Sequence, residues 1–512
     1  MPRLPLIGPS YALNTGADVQ RTVNLYTEVV ESGAGKGPKS LVGTPGLSLF
    51  TTLANGGPIR SLITCFGVDV TPGQGILAGL PRVFAISGPV GSNCALYELF
   101  SNGTSLNLMT LNCNSDSGPF SIAYSNTQML ITHGTNLPWL FRFADSAGFQ
   151  LTEQYQQNVT KDPKLNLYQV VYMDGMFVGI VGGTQDIRIS AVGNGFNWDP
   201  LEVQPANARP DILTGIAQVG KTLLLFGQDS IQPYWNTGNA DFPFEPIAGQ
   251  LIEVGCGAVW SIAKLDESVF FLSHATDGRG MVMRLDGFQA RRISNHAVEQ
   301  AIRSYSKIHD AIAWTYQDQG HGFYVLQFPT AGKTWVYDVS TNDWHERMWR
   351  NPDTAAEEAH RGICHCFAFW EASPFKGKHL VGDRENGNIY VLDPEVYLDN
   401  SNPIRRYRRT PHLSADGKRV FYHSAQVDHL TGTALTSGQG SNPLVALRFS
   451  NDGGNTWSQE YQASMGASGQ TKKRLRWTRL GSARDRVFEI STSEPVKHVW
   501  QEAYVEFSGG AH

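Results

Sequence analysis

The residue pattern best suited to a local chemical role is S-x-D-x-G-x-T-W, formed by Ser450, Asp452, Gly454, Thr456 and Trp457 and known as the Asp-box. Its spacing suits a turn: a Ser or Asp side chain bonds the turn backbone, Gly accepts a left-handed conformation, and Trp folds back over the hairpin. We read it as a structural staple. Two basic clusters have the residue types that grip phosphate or acidic surfaces. One is Arg405, Arg406, Arg408 and Arg409 around Tyr407; the other is Lys472, Lys473, Arg474 and Arg476, with Arg479 nearby. Basic residues interleaved with an aromatic can bind phosphates, and such runs also form solvated faces or subunit contacts. Both clusters are therefore candidate subunit or phosphate contacts. Cys364-His365-Cys366 is the only close Cys/His group in the sequence. On a strand the two thiols share one face and the imidazole takes the other, so they cannot bind one ion together. No metal and no cofactor is expected.

The Asp-box also occurs in sialidases, which raises a glycan-cleaving or glycan-binding alternative. Glycoside hydrolysis needs two carboxylates positioned across a cleft. This sequence has one Asp-box, no Tyr/Phe-Arg-Ile-Pro motif, and no acidic pair that stands out from turn aspartates. Phosphate-loop, H-E-x-x-H, G-x-S-x-G and dinucleotide fingerprints are missing too. The chain reads as a non-enzyme with no catalytic residues.

Composition points to the elements that carry these groups. Among 512 residues there are 53 Gly, 26 Pro and 55 aromatics, while only 17% are charged. That balance argues against helical bundles and disorder, and favours short strands joined by tight turns. The net charge of −5 conceals an asymmetry: residues 1–400 carry −11 and residues 401–512 carry +6. Two regions facing different partners are expected. The N-terminus has no signal-peptide core, and no apolar run is long enough to span a bilayer. The six sparse cysteines read as reduced, buried thiols. A soluble protein made in a reducing compartment is the expectation, with no membrane insertion.

The chain also repeats a unit. An alternating apolar strand, a polar turn and a second apolar strand recur, as in residues 120–126 with 128–134, 168–173 with 176–182, and 212–218 with 222–227. The second strands begin at Val83, Met129, Met176, Leu223, Val269, Phe323 and His379, at intervals of 46, 47, 47, 46, 54 and 56 residues. Each unit then adds third and fourth strands with aromatic ends. Four strands per 46 or so residues predicts an all-β fold, a β-propeller of six or seven blades over residues 51–400. Residues 1–50 are read as an N-terminal arm whose segment 44–50 (TPGLSLF) closes the ring. After residue 400 the period stops, and residues 401–512 read as an additional antiparallel β domain carrying the Asp-box hairpin. The first unit holds a Gly-rich insertion at 68–80, a possible partner-binding loop.

The N-terminal segments RTVNLY (21–26) and LVGTPGLSLF (41–50), with QVVYMDGMFVG (169–179), FNWDP (196–200) and RLRWTRLGSARDRV (474–487), resemble the tail nozzle or tail hub proteins of short-tailed bacteriophages, also termed packaged-DNA stabilisation proteins. The resemblance touches both ends and the middle of the chain. It implies a structural virion protein, assembled in the host cytoplasm as a homohexameric ring below the portal and adaptor. Such a ring extends the DNA channel, retains the packaged genome, takes part in its ejection and helps to seat a tail needle, fibres or spikes. No catalytic residues carry over. Double-stranded DNA would pass through without sequence recognition. A channel that releases DNA quickly should hold it with few arginines, so a mildly acidic lumen is expected, with the basic clusters at subunit or adaptor contacts.

Overall fold

Alternating apolar residues between Gly, Asn and Asp turns build seven four-stranded antiparallel sheets. They are seen in a computed structural model that describes residues 3–12, 17–31, 37–66, 81–113, 118–152, 154, 156, 165–206, 209–240, 242–275, 278–368 and 375–510. The insertion at 68–80 lies outside the described residues. Blade 1 runs from Ile59–Cys65 to Ser105–Asn112, blade 2 from Ser121–Tyr124 to Ala147–Gln150, and blade 3 from Leu167–Met173 to Val203–Pro205. Blade 4 runs from Leu213–Val219 to Phe244–Pro246, blade 5 from Ala263–Leu265 to Gln289–Arg292, and blade 6 from Ile312–Asp318 to Asp343–Glu346. Blade 7 takes three strands from Gly362–Ala368 to Asn388–Asp393, and Gly46–Thr52 completes it antiparallel to the last of these. The tight turns are made by residues that tolerate positive φ, such as Asp174-Gly175 at 50° and 87° and Gln319-Gly320 at 49° and 84°.

Burial between blades shows that the circle is closed. Phe84 and Phe141 join blades 1 and 2, Leu130 and Phe177 join 2 and 3, and Val178 and Leu225 join 3 and 4. Phe226 packs with Phe271, Phe270 with Tyr324, and Phe323 with Tyr390 around blades 4 to 7. Ile59 and Leu380 then join blade 7 to blade 1. One α-helix, His296–Arg303, links blades 5 and 6, and Asn295 caps it by accepting the Val298 N–H at 2.9 Å. Among the described residues no helix is long and apolar enough to cross a membrane.

The C-terminal region is a two-sheet sandwich, and the N-terminal segment is woven into both sheets. The cover sheet has the order Leu25–Val29, Lys39–Gly43, Val499–Gly509, Val420–His429, Leu475–Thr478. The junction sheet has the order Arg21–Val23, Arg406–Arg409, Asp485–Thr492, Leu444–Ser450, Tyr461–Ser464. Leu25, Leu41, Val427, Leu447, Phe488, Ile490 and Trp500 fill the space between them. Val23 also pairs in parallel with Glu346, so the junction sheet continues directly into blade 6.

One expectation is corrected here. Cys94 and Cys113 form a disulfide, with Cα atoms 6.1 Å apart. The pairing of Cys94 with Leu111 across two strands of blade 1 brings Cys113 alongside, a proximity that spacing along the chain does not reveal. Cys65, Cys256, Cys364 and Cys366 remain thiols. Burial pushes Cys256 and Cys366 up to about 12, which makes them poor nucleophiles.

Candidate functional site

The first basic cluster lies on the strand Arg406–Arg409, and a strand sends alternate side chains to opposite faces. Arg406 and Arg408 point into the sandwich and are 0% exposed. Arg408 donates from Nε to the Leu6 carbonyl at 2.6 Å, and from Nη1 to the Pro9 carbonyl and Thr22 Oγ1, both at 2.9 Å. It therefore holds the N-terminal segment in place. Arg406 donates to the Thr44 carbonyl at 3.2 Å. Burial brings both guanidinium groups down to about 10. For Arg406 and Arg408 the expectation of subunit or phosphate contact is thus corrected: both are interior groups that bind the chain's own N-terminus.

The other face of this strand meets the Asp-box. Arg21, Arg409, Glu489 and Arg448 form one row across four adjacent strands. Glu489, 0% exposed, accepts from Arg409 Nη2 and Arg448 Nε at 2.8 Å, and Arg405 Nη2 lies 3.6 Å away. The Trp457 ring lies against Arg409 and Arg448, each guanidinium carbon 4.7 Å from its centre. Two features far apart in sequence are therefore one site.

Within the Asp-box, Gly454 N–H donates to Ser450 Oγ at 2.8 Å, and Thr456 donates to Asp452 through N–H at 2.9 Å and Oγ1 at 2.6 Å. Trp457 Nε1 donates to the Gly454 carbonyl at 3.0 Å, and Gly454 has φ 91°. Ser450 Oγ donates to Asp452 Oδ1 at 2.6 Å, and this bond with those from Thr456 holds the Asp452 carboxyl down at about 2. The side-chain polar atoms of Ser450, Asp452, Thr456 and Trp457 are all engaged in the turn, an arrangement that staples a hairpin.

The second cluster behaves differently. Lys472, Lys473, Arg474 and Arg476 are exposed. Arg476 pairs with Glu506 at 3.0 Å, an exposed contact that adds little stability.

Where propeller meets sandwich, two charged contacts appear that sequence spacing could not reveal. Arg21 makes a bidentate pair with Glu346, with Nε and Nη2 at 2.9 and 2.6 Å. His321 lies between Asp338 at 2.7 Å and Glu28 at 2.8 Å. Burial alone would lower His321, but its two carboxylate partners raise it to about 9. At neutral pH both ring nitrogens donate.

The centre of the propeller holds a cavity of about 260 Å³, lined by first-strand side chains such as Ile63, Ile122, Gln169, Trp314 and His365. Among the described residues no carboxylate lines it. His365 Nε2 lies 3.0 Å from His379 Nδ1, on the strand face opposite Cys364 and Cys366. Among the described residues, no three His, Cys, Asp or Glu side chains are placed to hold a metal ion.

A seven-bladed propeller carrying a β-sandwich that is threaded by its own N-terminus defines the structural class. Residues 95–397 match the family model described as Bacteriophage P22 Gp10, beta-propeller, and residues 405–508 match that described as Bacteriophage P22 Gp10, beta-sandwich. The chain belongs to the bacteriophage P22 Gp10 family. A curated relative, the tail hub protein gp10 of Salmonella phage P22, is 22% identical over 301 residues. The match covers 57% of this chain and 60% of the relative, so this chain spans about three-fifths of that protein's length. Among solved structures, that of U3-55K aligns with 9% identity and a TM-score of 0.37, covering 68% of this chain and 99% of the other.

Proposed function

We propose that this protein is a non-enzymatic structural subunit of a phage tail hub. In this reading it forms a homohexameric ring below the portal and adaptor, extends the DNA channel, retains packaged DNA and participates in its ejection. The observation that carries the reading is the ordered match of propeller and sandwich to the two P22 Gp10 models. The chemistry agrees with it. The Asp-box acid is bonded within its own turn, and the charged network at Glu489 is internal. The exposed Lys472–Arg476 cluster is left for a partner surface, either the adaptor, a tail needle, fibre or spike protein, or a neighbouring subunit.

Depletion of the protein during phage assembly tests this. Particles made without it should lose their DNA, and adding back the purified chain should restore retention and place the protein at the tail vertex in micrographs. Particles that keep their DNA without it, or purified protein that releases reducing sugar from host polysaccharide, would overturn the proposal.

A further inference from the structure

The outer edges of the seven blades are not alike. A strand at a sheet edge offers its outward N–H and C=O groups to any other strand, and proteins blunt such edges with short strands, charge, proline or a covering segment. Blades 3 and 4 end in Val203–Pro205 and Phe244–Pro246, three residues each with a terminal proline. Blades 2 and 5 end in Ala147–Gln150 and Gln289–Arg292, four residues each, the second carrying Arg291 and Arg292. Asp343–Glu346 of blade 6 is joined by Val23, and Gly46–Thr52 of blade 7 meets Asp399 on its outer side. Blade 1 ends in Ser105–Asn112, eight residues with no charge and no proline, and among the described residues this strand pairs on one side only.

Backbone alternation identifies the groups of this strand that face out. Cys113 N–H donates to the Ser92 carbonyl at 3.0 Å, so Leu111 and Met109 bond inward and Thr110 turns its N–H and C=O away from the blade. At the other end Phe100 N–H donates to the Thr104 carbonyl at 2.9 Å, so Leu106 bonds inward and Ser105 and Asn107 face out. Between these halves the register shifts by one residue, at Leu108. The Asn112 carbonyl, also outward, accepts Asn136 Nδ2 at 2.8 Å. Among the described residues, no backbone group from outside blade 1 bonds Ser105, Asn107 or Thr110. Leu106, Met109 and Leu111 stand opposite Glu98, Leu96 and Cys94, so all three share the sheet face turned to blade 2, where Met109 packs on Gly148. Leu111 is buried, whereas Leu106 is 52% exposed. A strand added at this edge would cover Leu106 and extend the apolar face.

Resting on the hub reading above, we propose that an extended segment of a different virion protein completes the outer edge of blade 1 by adding a strand beside Ser105–Asn112. The ladder fixes the chemistry of the occupant. Outward N–H and C=O groups at strand spacing are matched by the backbone of another extended strand. That strand has no proline where it bonds Asn107 and Thr110, and it places an apolar residue beside Leu106. It needs no charge toward Ser105–Asn112, which carries none. A second copy is the wrong occupant, because two such edges paired about a two-fold axis close on themselves and cannot propagate into a ring.

Residue-resolved hydrogen exchange on the full-length chain and photo-crosslinking in particles test the proposal. In the free chain the Asn107 and Thr110 amides should exchange at least about 100-fold faster than those of Leu106, Met109 and Leu111. Equal protection of all five would show an edge covered by the chain itself and overturn the proposal. With p-benzoylphenylalanine in place of Asn107, purified particles should yield a crosslink to another virion protein, identified by mass spectrometry. A crosslink to a second copy alone, or none, would overturn it. Two variants read the strand bond itself. Asn107→Pro removes an outward N–H and Thr110→Lys charges the edge, and neither removes a backbone bond within blade 1. Both should keep the wild-type melting temperature and enter particles, with the crosslinked protein reduced at least about tenfold. Leu106→Pro, which removes an inward bond, should lower the melting temperature. If Asn107→Pro fails to fold, Thr110→Lys decides alone. Variant particles that keep a full complement of the crosslinked protein would sink the edge contact and leave the hub role standing. Wild-type chain that never enters particles would remove the hub role and the edge contact together.

Discussion

Arg408 and His321 show how single residues tie this molecule together. Replacing Arg408 by Met leaves the Leu6 and Pro9 carbonyls and Thr22 without their donor in a buried site. A loss on the order of 3–5 kcal/mol is expected in urea unfolding, whereas Lys472→Ala should change stability by less than about 0.5 kcal/mol. Equal effects would contradict the opposite placements of these two cations. His321 sets a pH dependence. Its value is raised from 6.5 to about 9 by Asp338 and Glu28, so the folded state binds the proton more tightly than the unfolded chain. The stabilisation is complete below pH 6.5 and is lost as pH rises through about 9. His321→Asn should flatten the stability curve between those limits, as read by melting temperature. His345, His365 and His498 act in the opposite sense. Burial lowers each to about 3, so their contribution is present above pH 6.5 and is lost as pH falls toward 3.

Among the elements, the strand Gly46–Thr52 carries the most structural consequence. It completes blade 7, and its first residue has no room for a side chain. A Cβ on Gly46 would stand 2.5 Å from the carbonyl oxygens of Val396 and Leu398. Gly46→Val should therefore cost on the order of 2–4 kcal/mol and expose blade 7 to limited proteolysis. Cleavage confined to the sandwich in that variant would contradict the assignment. The strand Arg406–Arg409 shows a second element-scale effect. Its three arginines, with Arg405 just before them, look uniform in sequence, yet the two-residue period divides the four into two interior anchors, Arg406 and Arg408, and two members of the Glu489 network, Arg405 and Arg409. Neutralising all four together would unfold the sandwich before it reported on any partner.

For the whole molecule, the N-terminal residues belong to both halves. Arg3–Leu4, Arg21–Val23, Leu25–Val29 and Lys39–Gly43 supply strands to the sandwich, and Gly46–Thr52 supplies one to the propeller. We expect the isolated 401–512 fragment to lack a cooperative melting transition, because its cover sheet loses Leu25 and Leu41 and its junction sheet loses the strand beside Arg408. Adding a peptide of residues 1–45 should restore the transition in circular dichroism. A fragment that melts cooperatively by itself would show that the N-terminal strands are dispensable.

Short-range regularity carried much of this into the sequence. The 46–47-residue spacing of second strands corresponds to blades whose second strands begin at Arg82, Gln128, Met176, Thr222 and Ser268, because turn chemistry and two-residue alternation are written locally. The all-β class and the resemblance to tail hub proteins were legible for the same reason. Contacts between residues hundreds of positions apart were not. Pairing Arg408 with Leu6, Glu28 with His321, Trp457 with Arg409, and Cys94 with Cys113 requires strands to be laid side by side, and a single sequence holds no record of strand order. The residue types of the chain determined blades, turns and the distribution of charge. Only tertiary structure decided which arginines are interior, because burial depends on what a neighbouring strand covers rather than on the side chain's own polarity.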